Sequence, residues 1–279
     1  MRLVRQLILV STITIAGLSL AQSSELLPEL PPELLNPVLQ LDSDSIRFCY
    51  YPDGATAQLD ILMADAIAGA LLLNAELFAA KGPISIPGID FIPISEDDLF
   101  LFLSNDCDAF MGFTLASGVY PEWLTFSRPY ARTGFKAITR VGGIESLADL
   151  PPGSIIGTVM MSEFDMELAN LIGTQPEERR WRRFPYPTAQ LAVERLFDET
   201  VDVAVSWEPT MNQVIAESVE QYVEVNTASL GSPSRLLGVA MLSNQSFLRT
   251  IIDTALSELS QSGALDGIFA EANFPGYIP

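Results

Sequence analysis

Short apolar strands and helices alternate along this chain in two successive sets, and that doubled order limits the available folds more than any single motif does. The first set runs through a strand Ile46–Tyr51, a helix Leu59–Leu73, a strand Phe91–Ile94, a helix Glu96–Ser104, and a strand entered at Cys107. The turn Pro52-Asp53-Gly54 ends its first strand, and Ser95 with Asp98 makes a capping-box-like start to its second helix. The second set runs through Ser154–Met161, a helix capped by Ser162 and reaching Ile172, Trp181–Phe184, a helix Thr188–Phe197, and Val201–Ser206. A helix after Trp207-Glu208-Pro209 and a strand Tyr222–Val225 close it. Strands joined by helical crossovers pair in parallel, so each set predicts an α/β lobe with a mainly parallel sheet flanked by helices.

Between the two sets lies Cys107–Arg140, CDAFMGFTLASGVYPEWLTFSRPYARTGFKAITR. Its apolar run Ala109–Phe113 reads as a buried strand broken at Gly112. A polar loop follows with Thr114, Ser117, Tyr120 and Trp123, at the carboxyl end of a strand, where ligands of α/β sheets sit. FSRPY then leads into an extended run, Phe135–Arg140. In the order acid-opened strand, polar loop, FS-x-PY and extended crossing, the stretch resembles the type 2 periplasmic solute-binding proteins, the bacterial extracellular solute-binding family 3. That resemblance implies a two-lobed clamp with two hinge crossings, here 134–140 and 235–241. Lobe one would comprise 43–136 plus 240–279 and lobe two 137–239. The implied role is capture of a small polar molecule for an ABC-type membrane permease by a monomer that is not an enzyme and carries no cofactor.

The strand-end rule nominates the ligand groups. From lobe one they are Tyr50, Tyr51, Asp53, Thr114, Ser117, Tyr120 and Trp123; from lobe two, Thr158, Met161, Ser162, Trp207 and Glu208. Backbone amides at the helix start near Ser162 would attract an anionic group. Each aromatic also reads as an ordinary half-buried side chain, and Glu208 as a surface acid placed ahead of a helix. In amino-acid-binding relatives the loop runs T-x-x-R before FS, and that arginine clamps the ligand carboxylate. Here the threonine position falls on Ser117 and the arginine position on Tyr120, so free α-amino acids are not expected to bind tightly.

The pieces IRFCYYP, NDCDAFMGF, FSRPYARTGFKAITR and VDVAVSWEP further resemble a subgroup associated with periplasmic quinoprotein alcohol dehydrogenases. This implies an alternative role as an accessory or interaction protein for such a dehydrogenase. Cys49 and Cys107 fall on strands that neighbour each other in this type of lobe. In an exported protein a disulfide between them is expected, the other reading being two buried thiols.

Composition narrows the alternatives. The formal net charge is −20, which repels phosphate backbones at long range, so nucleic acid is not expected as a partner. There is no histidine, which removes imidazole bases, Ser-His pairs and His-rich metal sites. A dehydratase-like enzyme using Glu208 or Asp53 is the remaining catalytic option. Arg179, Arg180, Arg182 and Arg183 form a basic cluster that reads as a solvated strand face or as a docking patch for an acidic partner.

At the start of the chain, Arg2, Arg5 and the apolar Leu7–Leu20 look like a secretory signal cleaved after Ala21. Gln22 follows instead of cysteine, so a periplasmic protein and not a lipoprotein is expected. Residues 22–42 contain Pro28, Pro31, Pro32 and Pro37 and read as an extended leader.

Overall fold

The computed structural model of the protein describes residues 44–81, 95–115, 120–216, 220–227 and 235–276. The expected signal and leader, the expected strand Phe91–Ile94 and Ser117 lie outside the described residues. Two separate sheets form, each with helices on both faces.

The first sheet contains β1 (Ser45–Tyr50), β2 (Asn74–Ala79), β3 (Ala109–Leu115), β4 (Leu124–Phe126), β5 (Ala131–Thr133) and β11 (Arg235–Leu242), in the order β2-β1-β3-β11-β4, with β5 also on β11. Strands β2, β1 and β3 are parallel, while β11 runs antiparallel to β3, β4 and β5. Helix α1 (Ala57–Ala70) buries Leu59, Met63, Ala64, Ile67 and Ala68, a spacing that places them on one helical face. With α6 (Ser246–Gln261) and α7 (Ala264–Glu271) it covers one side of the sheet, against Ile46, Phe48, Met111, Leu237, Val239 and Met241. Gly263, at φ +77°, takes the left-handed conformation that ends α6 and lets α7 start, which costs glycine nothing sterically. Helix α2 (Glu96–Asn105) covers the other side, and its Ser95 cap accepts the N–H of Asp98 as expected.

The strand beside β1 is β2, whose sequence NAELFA falls outside the strands that the apolar pattern predicts. Ala, Glu and Leu favour helix locally, and a continuous parallel ladder with Ser45–Tyr50 overrides that preference.

The second sheet has the order β10-β6-β9-β7-β8, from β6 (Phe135–Thr139), β7 (Ile155–Val159), β8 (Arg182–Tyr186), β9 (Val203–Trp207) and β10 (Val223–Val225). Again the sheet is mixed: β8, β7 and β9 are parallel, and β6 is antiparallel to β9 and β10. Helix α3 (Glu163–Thr174) packs on one face through Phe164 and Leu168. Helices α4 (Ala189–Phe197) and α5 (Glu208–Ala216) pack on the other. Between β6 and β7 lies a single 3-10 turn, Leu147–Asp149, capped by Ser146.

The segments expected as hinge crossings, 134–140 and 235–241, are each for the most part a strand of one sheet. Phe135–Thr139 is laddered on both edges within the second sheet, and Arg235–Leu242 is laddered within the first. Unpaired strands at these positions would leave backbone donors and acceptors without partners. One crossing therefore narrows to Gly134, between β5 and β6. The basic cluster lies on and before β8, an edge strand, where Arg183 is balanced by Asp165 at 2.6 Å. No helix among the described residues is long and apolar enough to cross a membrane.

Candidate functional site

The two sheets meet around Gly134 and the first residues of β11. Trp207 ends β9 opposite Phe135 and packs against the core of the first lobe. Glu208 follows it, and its N–H donates to the Gly134 carbonyl at 2.9 Å. Burial pushes the Glu208 carboxyl up from its ordinary range, and Glu224 adds to this. Lys136 and the Gly134 N–H oppose the rise. The Lys136 ammonium is shared between Glu224 (2.6 Å) and Asn212 (2.8 Å). A groove of about 410 Å³ opens beside it, between α5 with Tyr222 on one lobe and Phe269, Asn273 and Phe274 on the other.

From the first lobe, Tyr50 ends β1 half-buried against the core, and the turn after it holds Tyr51 half-buried and Asp53 exposed. Burial, then the charge of Asp53, pushes the Tyr51 phenol up. The Ala55 carbonyl, at the end of this loop, accepts from Gln213 Nε2 on α5 at 3.4 Å, so loop and second lobe touch. Thr114 is exposed on β3 opposite Leu237, two residues from Arg235.

Tyr120 and Trp123 are engaged in aromatic packing within the first lobe. The Tyr120 ring packs on Phe126 (4.5 Å between centroids) and Phe113 (6.1 Å), two members of the cluster on the α2 side of the sheet. Trp123 packs edge-on against Phe100 at 5.1 Å, and its carbonyl accepts from Ser243, just past the far end of β11. Strand β11 has 8 residues, so that end lies about 25 Å from the junction. Aromatic side chains in a loop bordering a sheet gain more from an apolar cluster than from an open mouth, and the sequence pattern alone does not choose between the two.

The second-lobe nominees near α3 are largely committed to the fold. Thr158 is buried and its hydroxyl donates to Asp165 at 2.5 Å. The Met161 N–H donates to the other Asp165 oxygen, while the Met161 side chain is exposed. Ser162 caps α3 by accepting the Asp165 N–H. An anionic ligand group at this helix start would meet Glu163 and Asp165, both in its first turn.

Two junction groups escaped the sequence reading. Arg235 is buried, pairs with Glu163 and, at 3.4 Å, with Glu167 on α3, and stacks its guanidinium 5.8 Å from the Phe135 ring centre. Its signal was a lone arginine opening the apolar run RLLGVAML. Thr133 lies opposite Arg235 in the ladder, fully buried, and its Oγ1 has no hydrogen-bond partner among the described residues. Such an atom calls for a water or ligand donor. Replacing Arg235 by Met should lower the unfolding free energy by roughly 1–3 kcal/mol, less than for a fully desolvated pair because both glutamates stay partly exposed. Urea titration measures it, and a loss below about 0.5 kcal/mol would place the pair among exposed ones that contribute little.

Beneath the loop, Asp60 on α1 is fully buried. Its carboxylate accepts from Thr56 Oγ1 (2.8 Å) and from the Tyr130 hydroxyl (2.9 Å), which in turn accepts the Gly112 N–H (2.9 Å). Gly112 sits at φ +70°, and any side chain there would collide with the Asp60 carboxylate. Burial raises the Asp60 pKa to about 7 against the two hydrogen bonds, which lower it. No group of three or more His, Cys, Asp or Glu side chains among the described residues could hold a metal.

No protein-family model and no curated protein sequence matches the chain. Solved structures do. The arginine-, lysine-, histidine-binding protein ArtJ from Geobacillus stearothermophilus aligns at TM-score 0.56 and 19% identity, over 84% of this chain and 96% of that one. The amino acid ABC transporter substrate-binding protein AbpA from Streptococcus pneumoniae, bound to L-arginine, aligns at 0.54 and 20%, over 82% and 94%. The ancestral amino acid-binding protein AncCDT-1, a precursor of cyclohexadienyl dehydratase, aligns at 0.52 and 17%, over 82% and 94%. Two mixed sheets, each flanked by helices and joined near Gly134, give this chain the two-lobed α/β fold of those periplasmic-type binding proteins.

Proposed function

We propose that the protein captures a small polar molecule between its two lobes and delivers it to an ABC-type permease outside the cytoplasmic membrane, after export and cleavage following Ala21. What supports this reading is the contact between the lobes near the Gly134 crossing, where Trp207 packs against the first-lobe core, the Glu208 N–H donates to Gly134, Arg235 pairs with Glu163 and Glu167, and Gln213 donates to Ala55; Tyr50, Tyr51, Asp53 and Thr114 are the first-lobe groups proposed to meet the ligand there. The solved structures of similar fold support it, since their own names describe amino-acid-binding and transporter-associated proteins. Two lobes joined by short crossings bend about a common axis with little repacking, which is how such clamps close.

The ligand differs from a free α-amino acid. The position of the carboxylate-clamping arginine is held by Tyr120, whose ring is engaged in an aromatic cluster on the α2 side. A neutral phenol does not replace a bidentate charge-assisted pair, and losing one costs a few kcal/mol. At the other side of the junction, Trp207 fills space against the first lobe with a large apolar ring. A ligand with polar groups around an apolar or ring-shaped body fits that wall.

Calorimetry with the twenty common amino acids and a panel of other small polar metabolites, followed by solution scattering on any hit, tests both parts. Saturable binding of a compound outside the amino acids, with compaction on binding, is expected. Micromolar binding of an amino acid would overturn the ligand class, and saturable binding without compaction would overturn lobe closure. A chain that binds no small molecule but co-elutes with a quinoprotein dehydrogenase would favour the accessory role that its motifs resemble.

A further inference from the structure

We propose that Arg235 is the latch that holds the two lobes together in the ligand-free chain, by gripping helix α3 across the Gly134 crossing. Its backbone belongs to the first lobe: Arg235 opens β11 and pairs in the ladder with Thr133, the last residue of β5. Its side chain is held by the second. The guanidinium pairs with Glu163 and Glu167 and lies over the Phe135 ring. Glu163 and Glu167 stand four residues apart on α3, so both lie on one side of that helix. Phe135 is tied to the same helix by ring packing on Phe164, 5.4 Å between centroids. Glu163, Glu167 and Phe135 therefore move as one body with α3, while the strand that carries Arg235 moves with the first sheet.

Between Thr133 and Phe135 stands Gly134 alone. An added Cβ there would meet no atom within 4 Å beyond its chain neighbours, so the backbone has room to bend. An opening bend at Gly134 carries α3 away from β11 and draws the two carboxylates off the guanidinium. The other contacts between the lobes near the crossing carry no charge pair. Gln213 reaches the Ala55 carbonyl at 3.4 Å, the upper end of hydrogen-bond range, and Trp207 packs by apolar contact. The Arg235 side chain is only 8% exposed, so salt and water screen its pairs little.

The same contact is able to open. Glu163 and Glu167 keep 47% and 32% of their side chains exposed, so separation returns them to water at modest cost. One atom gains by it. Glu167 Oε2 is buried without a hydrogen-bond partner among the described residues, and such an oxygen is better hydrated. The attraction of the pair and the cost of burying its members oppose each other, which biases the lobes toward closure without fixing them.

The consequence for ligand capture, a smaller open population in the free chain, rests on the clamp reading above. Small-angle scattering on the full ligand-free chain tests the latch itself. Arg235→Met, which keeps an apolar stem and loses the charge, is expected to raise the radius of gyration. Glu163→Gln with Glu167→Gln should raise it equally, and all three changes together should add nothing further, because one contact has been removed from either side. Arg235→Lys keeps the charge and should stay nearer the wild type than Arg235→Met does. The paired glutamine variant, altered at partly exposed positions, decides the matter should Arg235→Met not fold. If these variants scatter as the wild type does, apolar packing and not the ion pair holds the lobes, and the proposal is wrong. If the triple variant expands by the sum of its parts, Arg235 and the glutamates act separately, and it is wrong again. A chain that binds nothing in the calorimetric panel leaves this test untouched, and unchanged scattering here leaves ligand capture standing.

Discussion

Replacing Cys49 and Cys107 together by alanine is expected to lower the unfolding free energy by about 4 kcal/mol, the chain-entropy value for a loop of this length. The two residues are joined by a disulfide with Cα atoms 5.6 Å apart at a sequence separation of 58. Both are fully buried, beside Leu99, Leu103 and Phe110 under α2. The bond ties β1 to the entry of β3, neighbours in the sheet, so it restricts the unfolded chain while asking little of the folded one. Two alanines leave a small apolar gap that adds to the loss. For a chain of this size the change corresponds to a fall in melting temperature on the order of 10 °C. Urea titration of the double variant beside the oxidised wild type measures it, with dithiothreitol-treated wild type as an independent check. A difference below 1 kcal/mol in both comparisons would mean that the first lobe does not need the link.

Asp60→Asn is expected to stabilise the protein at pH 8 and to lose that advantage at pH 4.5. The folded pKa of about 7 lies above the ordinary 3.8 that the residue regains on unfolding. Between those values the folded state holds a proton that the unfolded chain has released. Stability from this group is therefore complete below about pH 4, falls as pH rises through the window, and stays low above pH 7. The total fall is on the order of 4 kcal/mol. Asparagine keeps the shape, accepts from Tyr130 and donates to Thr56 without any charge to bury, so it escapes the fall. Urea midpoints of both proteins at the two pH values give the answer, and comparing variants cancels the titration of the many surface carboxylates. Equal differences at pH 4.5 and pH 8 would show that the carboxylate is not neutral in the acidic window.

A carboxylate without a cation in an apolar setting resists ionisation. The same physics separates Asp60 from Asp165, which is also buried but has Arg183 at 2.6 Å. Asp165 is a fastener of α3 held by a cation, whereas Asp60 is held by two neutral hydroxyls.

Much of this molecule follows from local sequence. Apolar period set most strands and helices; Ser95, Ser162 and Thr188 marked helix starts; and the cysteine pair with its two flanking strands announced the disulfide. These are short-range matters, in which a residue's own conformational preference and its nearest partners decide. Three things were left to the tertiary structure. NAELFA became strand β2 because a neighbouring ladder outweighed helix preference. Tyr120 and Trp123 turned to the α2 side because ring packing with Phe113, Phe126 and Phe100 is a property of the assembled sheet face. Asp60 and Arg235 read as ordinary charges in a helix and at a strand start, and only burial by segments distant in sequence gave one a perturbed proton and the other a bridge between lobes. Burial, and with it electrostatics, is set by what covers a residue, and a residue does not carry that information in its own neighbourhood of the chain.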